Sequence, residues 1–196
     1  MSALLIRKAL LNGGEMIKSL ELPRLIDKKY LESNPEAKIT LLPEVFRHLS
    51  QLSGYYPSFD EWLEKKVLPG LISGERSVIL EYRNSGLSGL AIVKNDEIEQ
   101  KLCCLRVLPL YQGTGVGLKL FERSFEVLNN SSPLLSVAEE QLVKFHKIFK
   151  YYGFEIAKIY PDYYRPLKDE LSFNGLIEQS STSLSGALNN NLKLKA

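Results

Sequence analysis

Cysteine is scarce in this chain of 196 residues: there are two, Cys103 and Cys104, and they are adjacent. Neighbouring positions on a strand point to opposite faces, so the pair is ill placed for a disulfide, and neither has metal-ligand companions at useful spacing. That usage suits a reducing cytoplasm, and no metal site is expected. Charge of one sign is also lacking. Lys and Arg number 25 against 23 Asp and Glu, leaving a net +2 that gives no electrostatic case for a nucleic-acid partner. The sequence has no run of eighteen apolar residues, which argues against a membrane span. The opening MSALLIRKALLNGG has a short, charge-interrupted apolar core and does not read as a signal peptide. Internal repeats are absent as well.

What the chain does have is 44% apolar and 24% charged residues, the balance of a soluble globular protein with material for one sizeable core. Residues 1–36 are helix-prone and charged, and read as an N-terminal extension. A strand at Lys38–Leu41 then opens the main domain, expected over 37–176. Val45, Phe46, Leu49 and Leu52 recur at helical spacing behind Pro43. After the break at Gly54-Tyr-Tyr-Pro57, Ser58 and Glu61 have the spacing of a capping box, and a second helix is expected to run to about Pro69. Strands follow at 77–82 and 87–94, joined by turn chemistry at Arg83-Asn-Ser-Gly86, and at 101–108. A helix from Gly117, a short strand at 134–137, a helix carrying Leu142, Phe145, His146, Phe149 and Tyr152, and strands at 155–160 and 170–174 complete the order. The tail 177–196, rich in Ser, Asn and Gly, cannot bury a core and reads as disordered.

The most informative segment is Arg106–Leu118, RVLPLYQGTGVGL. A strand stops at Pro109, passes through glycines at 113, 115 and 117, and enters an amphipathic helix. Consecutive backbone N–H groups beside a positive helix N-terminus make a cradle for phosphate. It is not a dinucleotide fingerprint, which needs glycine where Leu118 stands, nor a P-loop, which needs Gly-Lys-Ser/Thr. Gln112, Gly115 and Gly117 instead satisfy Q/R-x-x-G-x-G/A. With its strand, proline and helix, the segment resembles the acyl-CoA pyrophosphate loop of the GNAT (Gcn5-related) N-acetyltransferases. Phe149-Lys-Tyr-Tyr-Gly-Phe154, about forty residues on, resembles that family's helix ending in aromatic-x-x-x-Gly-Phe.

The resemblance implies an α/β fold of mixed α+β character. Its central sheet of six to seven strands is mostly antiparallel, splayed between the fourth and fifth, with helices on both faces. It further implies acetyl transfer from acetyl-CoA to a primary amine by direct attack in a ternary complex. The acceptor is a small molecule or peptide; the alternatives are a non-catalytic acyl-CoA-binding module and a transferase acting on protein or aminoacyl-tRNA. Gln112, Gly113, Thr114, Gly115, Val116, Gly117 and Leu118 would hold the pyrophosphate, and Leu105, Arg106 and Val107 would pair with the pantetheine arm. An N–H near Leu105 or Arg106 is placed to polarise the thioester.

The acid and base are less defined. Phe149 stands where the family often has a tyrosine that protonates the leaving thiolate, and Tyr151 lies about 160° around the helix from it. Tyr152 is nearer in phase and is the candidate acid, with core packing as its other role. Glu97, Glu99, Glu139 and Glu140 are candidate bases, against ordinary roles as turn charges or first-turn helix stabilisers. His146 reads as a core histidine and His48 as a surface one. Tyr55, Tyr56, Phe59 and Tyr164, with Tyr160, Tyr163 and Arg165, form an aromatic set that suits an amine pocket, loop anchoring or a homodimer contact.

Overall fold

The computed structural model describes residues 22–84 and 86–177. Its framework is the hairpin of β2 (Arg76–Arg83) and β3 (Gly86–Asn95), in which Val78–Leu80 and Leu90–Val93 are buried without interruption. Strands apolar on both sides need cover on both faces. The two-residue β1 (Leu25–Ile26) pairs outside β2, and β4 (Gln100–Val107) pairs inside β3. Helix α6 (Val116–Leu128) then crosses one face, so that β5 (Leu134–Ala138) returns parallel to β4. Helix α7 (Leu142–Tyr152) leads into the hairpin of β6 (Ile156–Arg165) and β7 (Lys168–Phe173). The sheet has seven strands in the order β1-β2-β3-β4-β5-β7-β6, and every pair except β4–β5 is antiparallel.

Two cores result. On one face lie α1 (Lys28–Ser33), α2 (Ala37–Thr40), α3 (Leu42–Arg47), α4 (Phe59–Trp62) and α5 (Leu68–Ser73). Their Leu31, Leu42, Val45, Phe59 and Leu71 pack with Val78, Leu80, Leu90 and Ile92. On the other face Leu120, Phe121, Leu128 and Phe149 of α6 and α7 pack with Ile79, Ala91, Val93 and Val137. Each such side chain contributes about 1.5–3 kcal/mol on burial. The expected layers and strand count are present. Among the described residues no helix is long and apolar enough to cross a membrane, and no group of three or more His, Cys, Asp or Glu is placed to hold a metal ion.

Several local expectations fail. The opening strand is β1, and the segment expected as a strand, Lys38–Leu41, falls instead on the helix Ala37–Thr40 and its C-cap Leu41, with Ile39 79% exposed. Residues 25–34 are therefore built into the same packed unit, so the chain belongs to the fold from well before residue 37; residues 1–21 and the tail from 178 lie outside the described residues. Ser58 caps nothing with its side chain, because its left-handed φ of 64° departs from the extended N-cap geometry that a capping box needs. The helix there also does not stop near Pro69. A π turn at Leu63–Val67 widens the spiral just ahead of the proline, and α5 carries on to Ser73. His146 is exposed rather than in the core. Finally, Ile92 faces Cys104 while Val93 faces Leu102, so Cys103 is a bulged residue and both cysteines pack against the same core.

Candidate active site

After β4 the chain turns through Pro109–Tyr111 and reaches α6 by way of Gly113 and Gly115, with φ of 76° and 83°. Those angles call for glycine, and Gly115 is the N-cap of α6. Among the described residues, the amides of Gly113, Gly115, Val116, Gly117 and Leu118 have no hydrogen-bond acceptor. They cluster at the positive end of a 13-residue helix, where unpaired N–H groups and the helix dipole favour negative charge. Thr114 differs from expectation: its amide and hydroxyl both turn back to the Tyr111 carbonyl, at 3.4 and 2.6 Å. Gln112 is exposed beside the loop. A glycine not singled out by sequence also matters. A Cβ on Gly89 would lie 2.8 Å from the Arg106 carbonyl and 3.0 Å from Val116 and Leu120, so Gly89 lets the first turn of α6 settle onto β3 and β4.

The loop opens onto a gap in the sheet. β4 and β5 pair only at Lys101–Leu134 and Leu102–Leu135 before they part. From Leu102 to Val107, about 17 Å of strand at ~3.3 Å per residue, β4 has no neighbouring strand on that side among the described residues. The Leu108 amide donates to Ser88 of β3 at 2.9 Å, and strand alternation then turns Arg106 toward β3 and Leu105 and Val107 into the gap. So of the three residues expected to meet a pantetheine arm, two present their backbone groups to the opening. The side chain of Arg106 instead bonds Gln51 on the opposite face.

Beyond the point where β4 and β5 part, along β5 from Ser136 to Ala138 and on the α1–α5 face, polar groups are buried. Glu170 of β7 is 2% exposed, pairs through its backbone with Ala138 and Tyr160, and leaves its Oε1 without a hydrogen-bond partner. Burial raises its carboxyl to about 7, against a nearby Ser136 hydroxyl and the charges of Lys101 and Arg165, which favour the ionised form. Tyr56 meets Tyr164 edge to face at 5.2 Å and Phe59 at 6.4 Å. Burial, then Glu170, pushes both phenols well above the usual tyrosine range, although Tyr164 as a whole residue is 39% exposed. Arg165 ties this side shut: it pairs with Glu140, donates to the Gly54 carbonyl at 3.3 Å and lies 5.4 Å over Tyr55.

The structure sorts the expected acid and bases. Tyr152 packs on Phe125 at 4.9 Å with its hydroxyl buried and unpartnered. Phe125 is ten residues along α6 from Gly115, about 15 Å at 1.5 Å per residue, so Tyr152 is remote from the mouth of the gap. Phe149 is locked among Phe121, Phe145, Phe154 and Phe173. Glu99 is held by Lys94 at 3.1 Å and Lys101 at 3.9 Å, and Glu139 by Lys168 at 3.2 Å. Arg165 holds the Glu140 carboxyl below its ordinary range, and Glu97 is an exposed turn residue. His48 is exposed, with its basicity lowered by partial burial and by Arg106. Of the aromatic set, Tyr56, Phe59 and Tyr164 come together, while Tyr55 belongs to the Arg165 contact. Sequence reading missed Glu170 because its signal, a carboxylate at an inward position of a short strand, exists only once β5 and β7 are paired.

No protein-family model matches the chain, and no curated protein matches its sequence. Solved structures do match. One, described as an acetyltransferase of the GNAT family from Desulfovibrio desulfuricans, superposes with a TM-score of 0.53 at 14% identity, covering 65% of this chain and 87% of the other. A GNAT-family acetyltransferase from Elizabethkingia anophelis with acetyl-CoA bound gives 0.49 at 12% identity, over 61% and 84% of the two chains. At such identities the likeness speaks to fold, and the first of the two carries it.

Proposed function

We propose that this chain, which has the fold of the GNAT acetyltransferases, transfers an acetyl group from acetyl-CoA to a primary amine. The observation that carries the reading is the continuity between the loop and the gap. Five unpartnered amides at 113 and 115–118 lie just past Val107, the open end of the stretch of β4 that runs without a neighbour. A diphosphate satisfies the amides, and a pantetheine arm supplies the amide groups that the Leu105 and Val107 backbone lacks. Gly117 is roomy: a Cβ there would make only ordinary contacts of 3.5 and 3.9 Å with Val107 and Ile148, which flank the opening. The arm then brings its thioester toward Leu102–Leu135, where the strands part.

The amine approaches from the α1–α5 face, between Tyr56, Phe59 and Tyr164. Its nitrogen attacks the thioester carbonyl, a C–N bond forms, and the C–S bond breaks to release CoA thiolate. The Leu105 amide is the backbone donor nearest the expected oxyanion. Because Phe149 carries no proton to give, the thiolate leaves without a phenol from α7. The test is a thiol-release assay with acetyl-CoA over spermidine, an aminoglycoside, tyramine and a peptide with a free α-amino group, alongside CoA affinity by calorimetry. Turnover on any of them supports the transferase. Tight binding without turnover on the whole panel supports a non-catalytic acyl-CoA-binding module, the reading that Phe149 favours. Absence of binding removes both.

A further inference from the structure

We propose that Glu170 is the general base of this site, its carboxylate taking the proton from the acceptor's ammonium group as the amine meets the thioester where β4 and β5 part. The assignment rests on the acetyltransferase reading above and goes beyond it in naming the residue that sets the acceptor's protonation.

The argument begins with the other buried glutamate. Glu81 is 4% exposed, and Arg123 at 2.8 Å and Arg24 at 3.5 Å neutralise it. That is how a structural carboxylate is kept in a core. Glu170 is buried more deeply, at 2%, yet among the described residues no cation lies within ion-pair distance and Oε1 has no hydrogen-bond partner. Such a group is expensive to bury and folding alone gives no reason for it. Its position supplies a reason. Leu171 and Phe173 face α6 and α7, so alternation turns Glu170 to the other face of β7, the one carrying Tyr56 and Tyr164. Ser136, the side chain beside it, is the first β5 residue past the last pair with β4.

The remaining carboxylates near the gap are spoken for. Glu99 is paired with Lys94 and Lys101, Glu139 with Lys168 and Glu140 with Arg165. Those carboxylates are engaged by cations, whereas a carboxyl near 7 is matched to the task, and burial puts Glu170 there. The groups facing it from each packed element are Ser136 of β5, Lys101 of β4, Arg165, Tyr163 and Tyr164 of β6, Tyr56 ahead of α4, and Glu140. Lys101 and Arg165 favour its ionised form and Glu140 opposes it.

The proton balance is simple. Glu170 accepts one proton from R–NH3+, leaving R–NH2 to attack. After C–S cleavage the acylated nitrogen carries one surplus proton, which passes to the CoA thiolate to give CoASH. Glu170 returns its own proton to solvent, so one proton is released per turnover.

The experiment compares wild type with Glu170→Gln and Ser136→Ala, using the amine that turns over fastest in the panel above. Gln keeps the shape and the neutral form of the group, so the variant folds and binds acetyl-CoA with unchanged affinity. Expected is a fall in kcat of about 100-fold or more at pH 7. The limb of kcat/KM that rises through about pH 7 in wild type disappears with it. Ser136→Ala removes a neighbour that favours the ionised form, so the same limb moves to higher pH, a displacement that a purely structural role would not produce. A folded Glu170→Gln protein that keeps wild-type kcat and the rising limb overturns the assignment while the transferase reading stands. Absence of turnover by wild type on every amine overturns both together.

Discussion

The contrast between Glu81 and Glu170 shows how one residue type takes opposite roles through its neighbours. Glu81 is a bolt. Arg123, on α6, donates to Glu81 at 2.8 Å and also to the Leu80 and Arg24 carbonyls at 2.8 and 3.0 Å. Arg123→Ala strands a buried carboxylate, so urea unfolding should show a loss of about 3 kcal/mol. Glu170 has no such bolt, and the cost depends on pH. Its folded value is raised, so the neutral form is favoured; the associated stability is complete below the ordinary 4.5 and is lost as pH rises through about 7. Each pH unit in that window is worth ~1.4 kcal/mol, roughly 3 kcal/mol in all. Unfolding curves for wild type and Glu170→Gln should therefore separate by that amount between pH 5 and pH 8, with the variant ahead at pH 8. Parallel behaviour across the window would mean that Glu170 titrates normally.

Among the elements, the N-terminus of α6 does most for the proposed chemistry, and its local sequence explains why. Gly113 and Gly115 hold left-handed backbone angles, and nothing in the protein lies within 4 Å of where their Cβ atoms would be. The space there is open to a ligand rather than occupied by the fold. Gly115→Asn tests this cleanly, because Asn tolerates the left-handed region and is a good N-cap. Its melting temperature should stay close to wild type while CoA affinity falls at least tenfold. Gly89→Ala should act differently: its Cβ would press on the Arg106 carbonyl, shifting α6 and lowering stability and affinity together. The loop was legible in the sequence because a glycine triplet between strand and helix has few other uses. Helix positions were less legible, since Pro69 signals a stop only if the spiral cannot widen, and here a π turn lets it widen.

At the scale of the molecule, the sheet brings together residues that no local pattern links. Element order from β2 onward followed from alternation, turn chemistry and the two glycine-bearing segments. β1 did not, because two residues become a strand only when β2 offers its edge, and the β-branched stretch at 38–41 found no edge to join. The proposed acceptor face is likewise assembled from afar: Tyr56 precedes α4, Ser136 lies on β5, and Tyr164 and Glu170 lie on the last hairpin. Arg165 clamps that hairpin to the Gly54 turn and to Glu140. Arg165→Ala should loosen the acceptor side alone, changing KM for the amine severalfold while KM for acetyl-CoA is unmoved. The claim beneath all of this is that a diphosphate-bearing thiol ligand lies across the α6 N-terminus and along the open edge of β4. Titrating CoA into 15N-labelled protein and following each backbone amide examines it directly. The largest shifts should fall on Gly113, Gly115–Leu118, Leu105 and Val107, with Arg106, whose amide faces β3, moving less. Saturable binding that leaves those amides still, or no binding at millimolar CoA, would refute it.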